Sequence, residues 1–524
     1  MNHIRILDCT LRDGGYINDW KFGKDIISGI ISNLIDAHID IIECGFIRDV
    51  ECDPDSSVYS SMDQLSAAIA PKRKNVQYVV MIEQRNYRAD LICDRSEKTA
   101  DMIRLTFRQH EWENVKITAK ELMKKGYEVC IQPVGTTSYD DLSLISLIRQ
   151  VNELKPYAFY FVDTLGLMYS HEMRKFFYLI DHNLSPSIRL GFHSHNNLQM
   201  SFANAQEMIR LNRGRTIIID SSCYGMGRGV GNLATELIIE YINHNIEQRY
   251  SLTPVLNIID QFLMPIYSHQ RWGYDLPYFL SAAFKCHPDY ATYLMRKETL
   301  SIEKIEKVLS LIPNTDKNEY NDSLIESLYL KMQSCTIDDT ENYQALQREL
   351  YHKDAVIIAP GSSIISFEDK IRSITEDKVI ISANFIPKNI DIDIVFVSND
   401  KRLGQINLCS VKKLVATSNL MHEISNAVFL DYASLLGEGE ACDNAGAMLI
   451  RALSRIGIHK LFLAGFDGFD VDSSHNFAVS TFKKQLDSDT VKKINENISR
   501  QLSSALSGVD YEFITPTKYE ITDI

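Results

Sequence analysis

From residue 3 to about residue 246, short apolar runs rich in β-branched residues alternate with longer stretches of helical period. A run of about four to eight apolar residues reads as a strand buried on both faces, and apolar residues at i, i+3, i+4 and i+7 read as a helix with one buried face. The strands predicted in this way span residues 4–9, 39–44, 76–82, 102–107, 127–133, 158–162, 188–194 and 216–221. Helical patterns lie at 25–37, 112–125, 140–154, 171–182, 198–211 and 233–246. Eight strands alternating with helices fit a (β/α)8 TIM barrel better than an open sheet.

Beyond the barrel the pattern is mostly helical to about residue 350, opening on the aromatic-rich segment 271–278, with polar loops at 314–322 and 337–342. A second strand–helix alternation starts near Asp354. There Val356-Ile-Ile-Ala runs into the small-residue turn Pro360-Gly-Ser-Ser363, and a helix is expected from about Phe367. Further strands at 379–383, 392–397, 413–416, 427–430 and 460–464, with a helix at 444–456, predict a Rossmann-like α/β domain. The expected organisation is therefore a barrel over 1–250, a helical extension covering the barrel rim and a linker over 251–352, and the second α/β domain over 353–524.

Length and composition agree with two or three domains: 524 residues, 45% hydrophobic. The formal net charge of −14 argues against general nucleic-acid binding, which calls for a basic stripe, but leaves room for a locally positive site. No apolar run approaches the ~18 residues of a membrane span, and the first residues read as a strand, not as a signal peptide. Ten cysteines without a CxxC pair fit a reduced, cytoplasmic protein.

Chemistry in such barrels sits at the C-terminal ends of the strands. Those ends carry Arg12 and Asp13, Glu43, Asp163 and Thr164, His193 and His195, and Asp220. His193 and His195 stand two apart on one strand, so both imidazoles point to the same face. Barrel closure sets strand one beside strand eight, and strand eight beside strand seven, which can bring Asp13 to the two histidines. One carboxylate and two imidazoles form a facial set for Mn²⁺, Fe²⁺, Co²⁺ or Zn²⁺, and Mg²⁺ becomes possible when oxygen ligands complete the shell. After strand eight, residues 225–232 (Gly-Met-Gly-Arg-Gly-Val-Gly-Asn) read either as a phosphate-type loop or as a turn that lets backbone pass close to a site. Within it, Arg228 can approach an anionic substrate group, and Asn232 can cap the next helix or turn its oxygen to a metal. Asp163 and Thr164 complete the expected substrate contacts. Tyr267, His269, Tyr274 and His287 either face substrate or pack the helical extension.

Three motifs, Asp8-Cys-Thr-Leu-Arg-Asp-Gly14, Gly191-Phe-His-Ser-His-Asn196 and Gly231-Asn-Leu-Ala-Thr-Glu236, come in one order and spacing. Together they resemble the metal-dependent aldolase and Claisen-type family that includes 3-hydroxy-3-methylglutaryl-CoA lyase, 2-isopropylmalate synthase and 4-hydroxy-2-oxovalerate aldolase. The resemblance covers about half the chain. It implies a divalent metal, Mn²⁺ first with Mg²⁺, Co²⁺ or Zn²⁺ as alternatives, on Asp13, His193 and His195, with Asn232 on or near it. It also implies that Arg12 stabilises an enolate oxygen and that Glu43 supports the site.

This sequence departs from that pattern at two places. Relatives of the hydroxy-oxovalerate branch carry a catalytic histidine four residues after the arginine, where this chain has Tyr16. Tyr16 is therefore placed with Arg12 and Glu43 in the expected catalytic set, where either it only hydrogen-bonds substrate or another group takes the proton. The Gly-Cys-Pro loop of the CoA lyases is absent, although Cys223-Tyr224 stands nearby. The expected activity is therefore aldol-type cleavage or formation of a C–C bond beside a 2-oxo acid, with an aldehyde or acyl partner and a homo-oligomeric enzyme. The alternatives are a Claisen-type acyl-CoA synthase and a bifunctional surface-glycan enzyme. For the latter, Pro360-Gly-Ser and Gly465-Phe-Asp467 are faintly similar to bacterial sialyltransferases and a pterin-pyrophosphokinase-like family, which implies a nucleotide or nucleotide-sugar site near Gly361, Ser362 and Asp467.

Overall fold

The computed structural model describes residues 3–472, 475–478 and 486–522. All eight barrel strands form: β1 Ile4–Asp8, β2 Ile41–Ile47, β3 Gln77–Glu83, β4 Met102–Phe107, β5 Glu128–Pro133, β6 Ala158–Asp163, β7 Arg189–Ser194 and β8 Ile217–Ser221. Each pairs in parallel with its neighbour, and β1 closes the barrel by pairing with both β2 and β8. Parallel strands covered on both faces must be apolar on both, which is why they read as continuous runs. The helices follow the same logic. In Lys24–Asp36, for example, Ile27, Ile30, Ile31 and Leu34 form the buried stripe. Two small elements escape the pattern: the helix Met62–Ala68 and a two-residue strand, Val58–Tyr59, beside the end of β2.

The period of two along each strand sorts the barrel interior into layers. Leu7, Ile41, Val79, Met102, Cys130, Ala158 and Ile218 form an apolar floor. Two residues further toward the C-terminal end, the same faces of β2, β4, β5, β7 and β8 present Glu43, Arg104, Gln132, His193 and Asp220, all buried. A Cβ on Gly191 would lie 2.3 Å from the Tyr160 ring. The glycine thus makes room for a tyrosine that lies under the Arg104 guanidinium, 4.4 Å from its centroid.

Contacts divide the chain into two compact units, one of residues 1–292 with 312–320, the other of 293–311 with 321–524. The helical stretch expected as one piece over 251–352 is shared between them. Helix Leu276–Ala283 belongs to the barrel unit, whereas Ile302–Ser310, Asp322–Gln333 and Thr340–Leu350 belong to the second. Leu346 and Leu350 lie in the core of the second unit's sheet, which explains the assignment of the last helix.

That sheet has seven parallel strands: β9 Asp354–Ile358, β10 Val379–Ala383, β11 Ile394–Val397, β12 Leu414–Thr417, β13 Val428–Leu430, β14 Lys460–Ala464 and β15 Asp510–Phe513. Their order, β13-β12-β11-β10-β9-β14-β15, reverses between β9 and β14, as in doubly wound Rossmann-like folds. β15 and the long helix before it, Ser488–Leu506, go beyond the sequence reading. Among the described residues no helix is long and apolar enough to cross a membrane.

Candidate active site

Three ligand-type side chains meet at the C-terminal end of the barrel. The turn after β1 is pinned by the amides of Arg12 and Asp13, both donating to the Cys9 carbonyl (3.0 and 2.8 Å). It sets Asp13 Oδ2 3.8 Å from His193 Nε2 and 3.6 Å from His195 Nε2. One ligand atom from each residue falls within 4.8 Å of the others. Asp13 and His193 are buried, and His195 keeps a 15% exposed side chain toward solvent.

Both imidazoles are oriented from behind. His193 Nδ1 donates to Asp220 Oδ2 (3.0 Å) and His195 Nδ1 to the main-chain carbonyl of Asp163 (3.0 Å). With the proton held on Nδ1, each Nε2 lone pair faces Asp13, the tautomer that a metal-binding histidine needs. Burial lowers the pKa of His193 and favours its neutral form. Burial opposes ionisation of Asp13 as well, yet the Arg12 guanidinium above all holds its carboxyl well below the usual range.

Asn232 arrives on the loop after β8. Its Nδ2 donates to Asp13 Oδ2 (2.6 Å) and its Oδ1 is buried with no partner among the described residues. Gly227 makes that approach possible, since a Cβ there would lie 2.4 Å from Asn232 Nδ2 and 3.3 Å from Asp13 Oδ2. Gly231 has φ +83°, and a Cβ on it would strike the Gly225 carbonyl at 2.0 Å. These glycines act as a turn that brings backbone close to the site. The donor set of one carboxylate, two Nε2 atoms and an orphaned buried amide oxygen fits an oxygen- and nitrogen-liganded divalent cation.

Around the ligands runs a ring of charges. Arg12 donates through Nη1 to Asp13 and through Nε to Glu43 Oε2 (2.7 Å), and its Nη2 is buried without a partner among the described residues. Glu43 Oε2 lies 3.1 Å from Arg104 Nη1. Arg104, wholly buried, continues to Asp220 through Nη2 and to Gln132 Oε1 through Nε (2.8 Å). Asp220 then closes the ring on His193. Burial penalises both arginines, but the flanking carboxylates more than offset it and hold both guanidiniums charged. Three carboxylates therefore face two guanidiniums, and the ring carries one net negative charge.

The remaining expected residues divide. Glu43 is in the ring. Tyr16 stands beside it, half-exposed, its ring 4.7 Å from that of Trp20. The protein around the Tyr16 hydroxyl, and then the Asp13 carboxylate, push its pKa up, the wrong direction for a base. Asp163 is not free for substrate: its two carboxylate oxygens accept the amides of Leu167 (2.8 Å) and Met168 (2.9 Å), and burial raises its pKa to about 6. Its contribution to the site is the carbonyl that orients His195. Thr164 Oγ1 accepts the amide of Gly135 (2.8 Å). Arg228 is exposed and pairs with Asp289 at 3.4 Å. Tyr267 packs against Trp272 (4.9 Å), which donates to the Tyr224 carbonyl (2.9 Å). His269 and Tyr274 are exposed, and His287 lies 3.6 Å from Asp289. Arg104 and Gln132 are absent from the sequence reading. Their one signal is a strongly polar side chain inside a largely apolar strand.

In the second unit, the turn after β9 is occupied from within. Asp467 accepts the Ser363 amide (2.7 Å) and the Ser363 hydroxyl, with Ser362 Oγ at 3.4 Å. A Cβ on Gly361 would lie 2.3 Å from the Gly465 carbonyl. An anionic ligand at Gly361 and Ser362 would have to displace the Asp467 carboxylate.

Residues 3–260 match the family described as HMGL-like. Oxaloacetate decarboxylase of Mycobacterium tuberculosis is 25% identical over 236 residues, 45% of this chain and 68% of that protein. A 4-hydroxy-2-oxovalerate aldolase of Geobacillus genomosp. 3 is 23% identical over 275 residues, 50% of this chain and 77% of that protein. The N-terminal domain of a protein designated an aldolase from Bacteroides vulgatus is 25% identical, with a TM-score of 0.49 over 56% of this chain and 96% of that one.

Proposed function

From the premise that residues 3–260 are an HMGL-like domain, we propose that the protein is a divalent-metal-dependent carbon–carbon lyase that cleaves a 4-hydroxy-2-oxo acid through an enolate. The observation that carries this reading is the convergence of Asp13, His193 and His195 beside a buried Arg12 whose Nη2 has no partner among the described residues. Asp13, the two Nε2 atoms and Asn232 Oδ1 would hold the cation, Mn²⁺ by preference. Bound there, it supplies Lewis acidity toward the carboxylate and keto oxygens of a 2-oxo acid.

The chain's own groups do the rest. Arg12 Nη2 donates to the oxygen on which negative charge develops, and removing such a donor typically costs about 10²–10³-fold in rate. Glu43 fixes the angle of Arg12 through Nε, so the donor is in place before the reaction. Asp220 and the Asp163 carbonyl keep both imidazoles in the metal-binding tautomer. Tyr16 remains protonated at neutral pH and donates a hydrogen bond instead of accepting a proton. In cleavage the C4 hydroxyl loses its proton, the C3–C4 bond breaks to give the aldehyde, and its electron pair passes into the enolate, which regains a proton at C3.

One observation favours a second reading. Decarboxylation of a 3-carboxy-2-oxo acid yields the same enolate without any base for a hydroxyl, and the histidine of the aldolase pattern is replaced here by Tyr16. Both readings require pyruvate enolisation. Metal-replete protein should exchange the methyl protons of pyruvate for deuterium in D₂O, read by mass spectrometry, and Asp13→Ala should lose bound metal and exchange together. Wild-type protein that holds metal and exchanges nothing would end both.

A further inference from the structure

The geometry points to Arg48 as the receptor for an anionic group, carboxylate or phosphate, on the aldehyde half of the substrate. This rests on the lyase reading above and names the class of its second reactant. Arg48 directly follows β2, at the catalytic end of the barrel, and its amide donates to the Tyr59 carbonyl (3.0 Å). Its guanidinium lies 4.1 Å from the centroid of Phe46 and 5.0 Å from that of Trp20. The Arg12 guanidinium lies 6.0 Å from the same Phe46 ring. One aromatic ring therefore separates the reacting end of the site from Arg48, with Tyr16 beside Trp20 along the way.

Arg48 is prepared for a ligand. The two rings fix its plane, and Nε is tethered to Glu83 Oε2 at 3.1 Å. Glu83 also accepts from Arg85 (2.8 Å) and Asn86 (3.0 Å), so it does not neutralise Arg48 alone. Neither Nη1 nor Nη2 of Arg48 has a partner among the described residues, and the side chain keeps 21% of its surface open. An immobilised arginine with its terminal N–H groups unpaired presents the planar geometry that carboxylates and phosphates accept in pairs of hydrogen bonds. The neighbouring rim cations differ: Arg85 and Arg88 spend terminal nitrogens on carboxylates.

The test uses the full chain loaded with Mn²⁺, pyruvate as the enolate donor, and matched aldehydes that differ in one acidic group. The pairs are succinic semialdehyde with butanal, and glycolaldehyde phosphate with glycolaldehyde. Condensation with an acidic member should exceed that with its neutral partner in kcat/KM, and Arg48→Gln should cut this ratio roughly 10- to 100-fold, the yield of one charge-assisted contact. A preference for succinic semialdehyde identifies the group as carboxylate, and a preference for the sugar phosphate as phosphate. Equal or better use of the neutral aldehydes by the wild type overturns the inference even if the variant does not fold. So does an unchanged ratio in folded Arg48→Gln, or pyruvate exchange with no aldehyde consumed. Failure of pyruvate exchange itself removes the lyase reading, and the inference with it.

Discussion

Asp220→Asn separates the task of orienting His193, a proposed metal ligand, from the task of binding metal. Asp220 touches neither the ligand atoms nor solvent, and its Oδ2 accepts from both His193 Nδ1 (3.0 Å) and Arg104 Nη2. An asparagine with its amide oxygen at the Oδ2 position still accepts from both donors, and its nitrogen takes the place of Oδ1, which has no partner among the described residues. What is lost is the negative charge: Arg104 is left with Glu43 (3.1 Å) as its charged partner, beside Gln132 (2.8 Å). The imidazole keeps only a weaker, neutral acceptor for its Nδ1 proton. Loss of such an orienting carboxylate typically weakens metal affinity about 10- to 100-fold, or ~1.4–2.8 kcal/mol. Breaking a buried ion pair costs about 3–5 kcal/mol when the survivor is stranded. Arg104 keeps two partners, so the fold should lose less. Titrating free Mn²⁺ by electron paramagnetic resonance gives the affinity, and a thermal melt of metal-free protein gives the stability. Arg104→Met removes a cation instead of an anion from the same ring, so on electrostatic grounds it should bind Mn²⁺ no more weakly than wild type. Folded Asp220→Asn protein with wild-type affinity would refute the reasoning, and equal weakening by both variants would reduce it to a packing effect.

Two further outcomes follow from particular contacts. Gly227→Ala places a methyl group 2.4 Å from Asn232 Nδ2, in a site built without room for it, so metal retained after dialysis should fall sharply while overpacking lowers stability by only about 1–3 kcal/mol. Asp163 has a folded-state pKa of about 6 against an ordinary 3.8, so its protonated form favours the fold. That contribution is complete below pH 4 and is lost as pH rises through 6, to the extent of ~2–3 kcal/mol. Urea unfolding of metal-free protein at pH 4.5 and 7.5 should show wild type losing more stability with rising pH than Asp163→Asn; equal slopes would contradict the assignment.

The barrel was legible because its strands are covered on both faces and its helices on one, which are the two simplest patterns a chain can carry. β15 was not: its exposed Asp510 and Glu512 alternate with half-buried Tyr511 and Phe513, so no apolar run announces an edge strand. Asp13, His193 and His195 could be found from strand ends and barrel closure together. Asp163 shows where that rule stops, because position on the rim does not reveal whether carboxylate or carbonyl does the work. Arg104 and Gln132 lie inside strands and not at their ends, and their meaning appears only when the closed barrel sets Arg104 between Gln132 and Asp220. For Tyr16, sequence alone leaves the direction of its proton affinity open; burial of the hydroxyl, and then the neighbouring Asp13 carboxylate, decide it.

The closed ring from Asp13 through Arg12, Glu43, Arg104 and Asp220 to His193 has a kinetic corollary. Its single uncompensated negative charge sits in a buried, weakly screened setting, where it repels a 2-oxo acid and attracts a cation. Occupation by a divalent ion inverts that sign and leaves one positive charge, the complement of one carboxylate. Loading should then be sequential, ion before acid. The apparent KM for the acid should fall as free Mn²⁺ rises, and the acid should slow the escape of the ion.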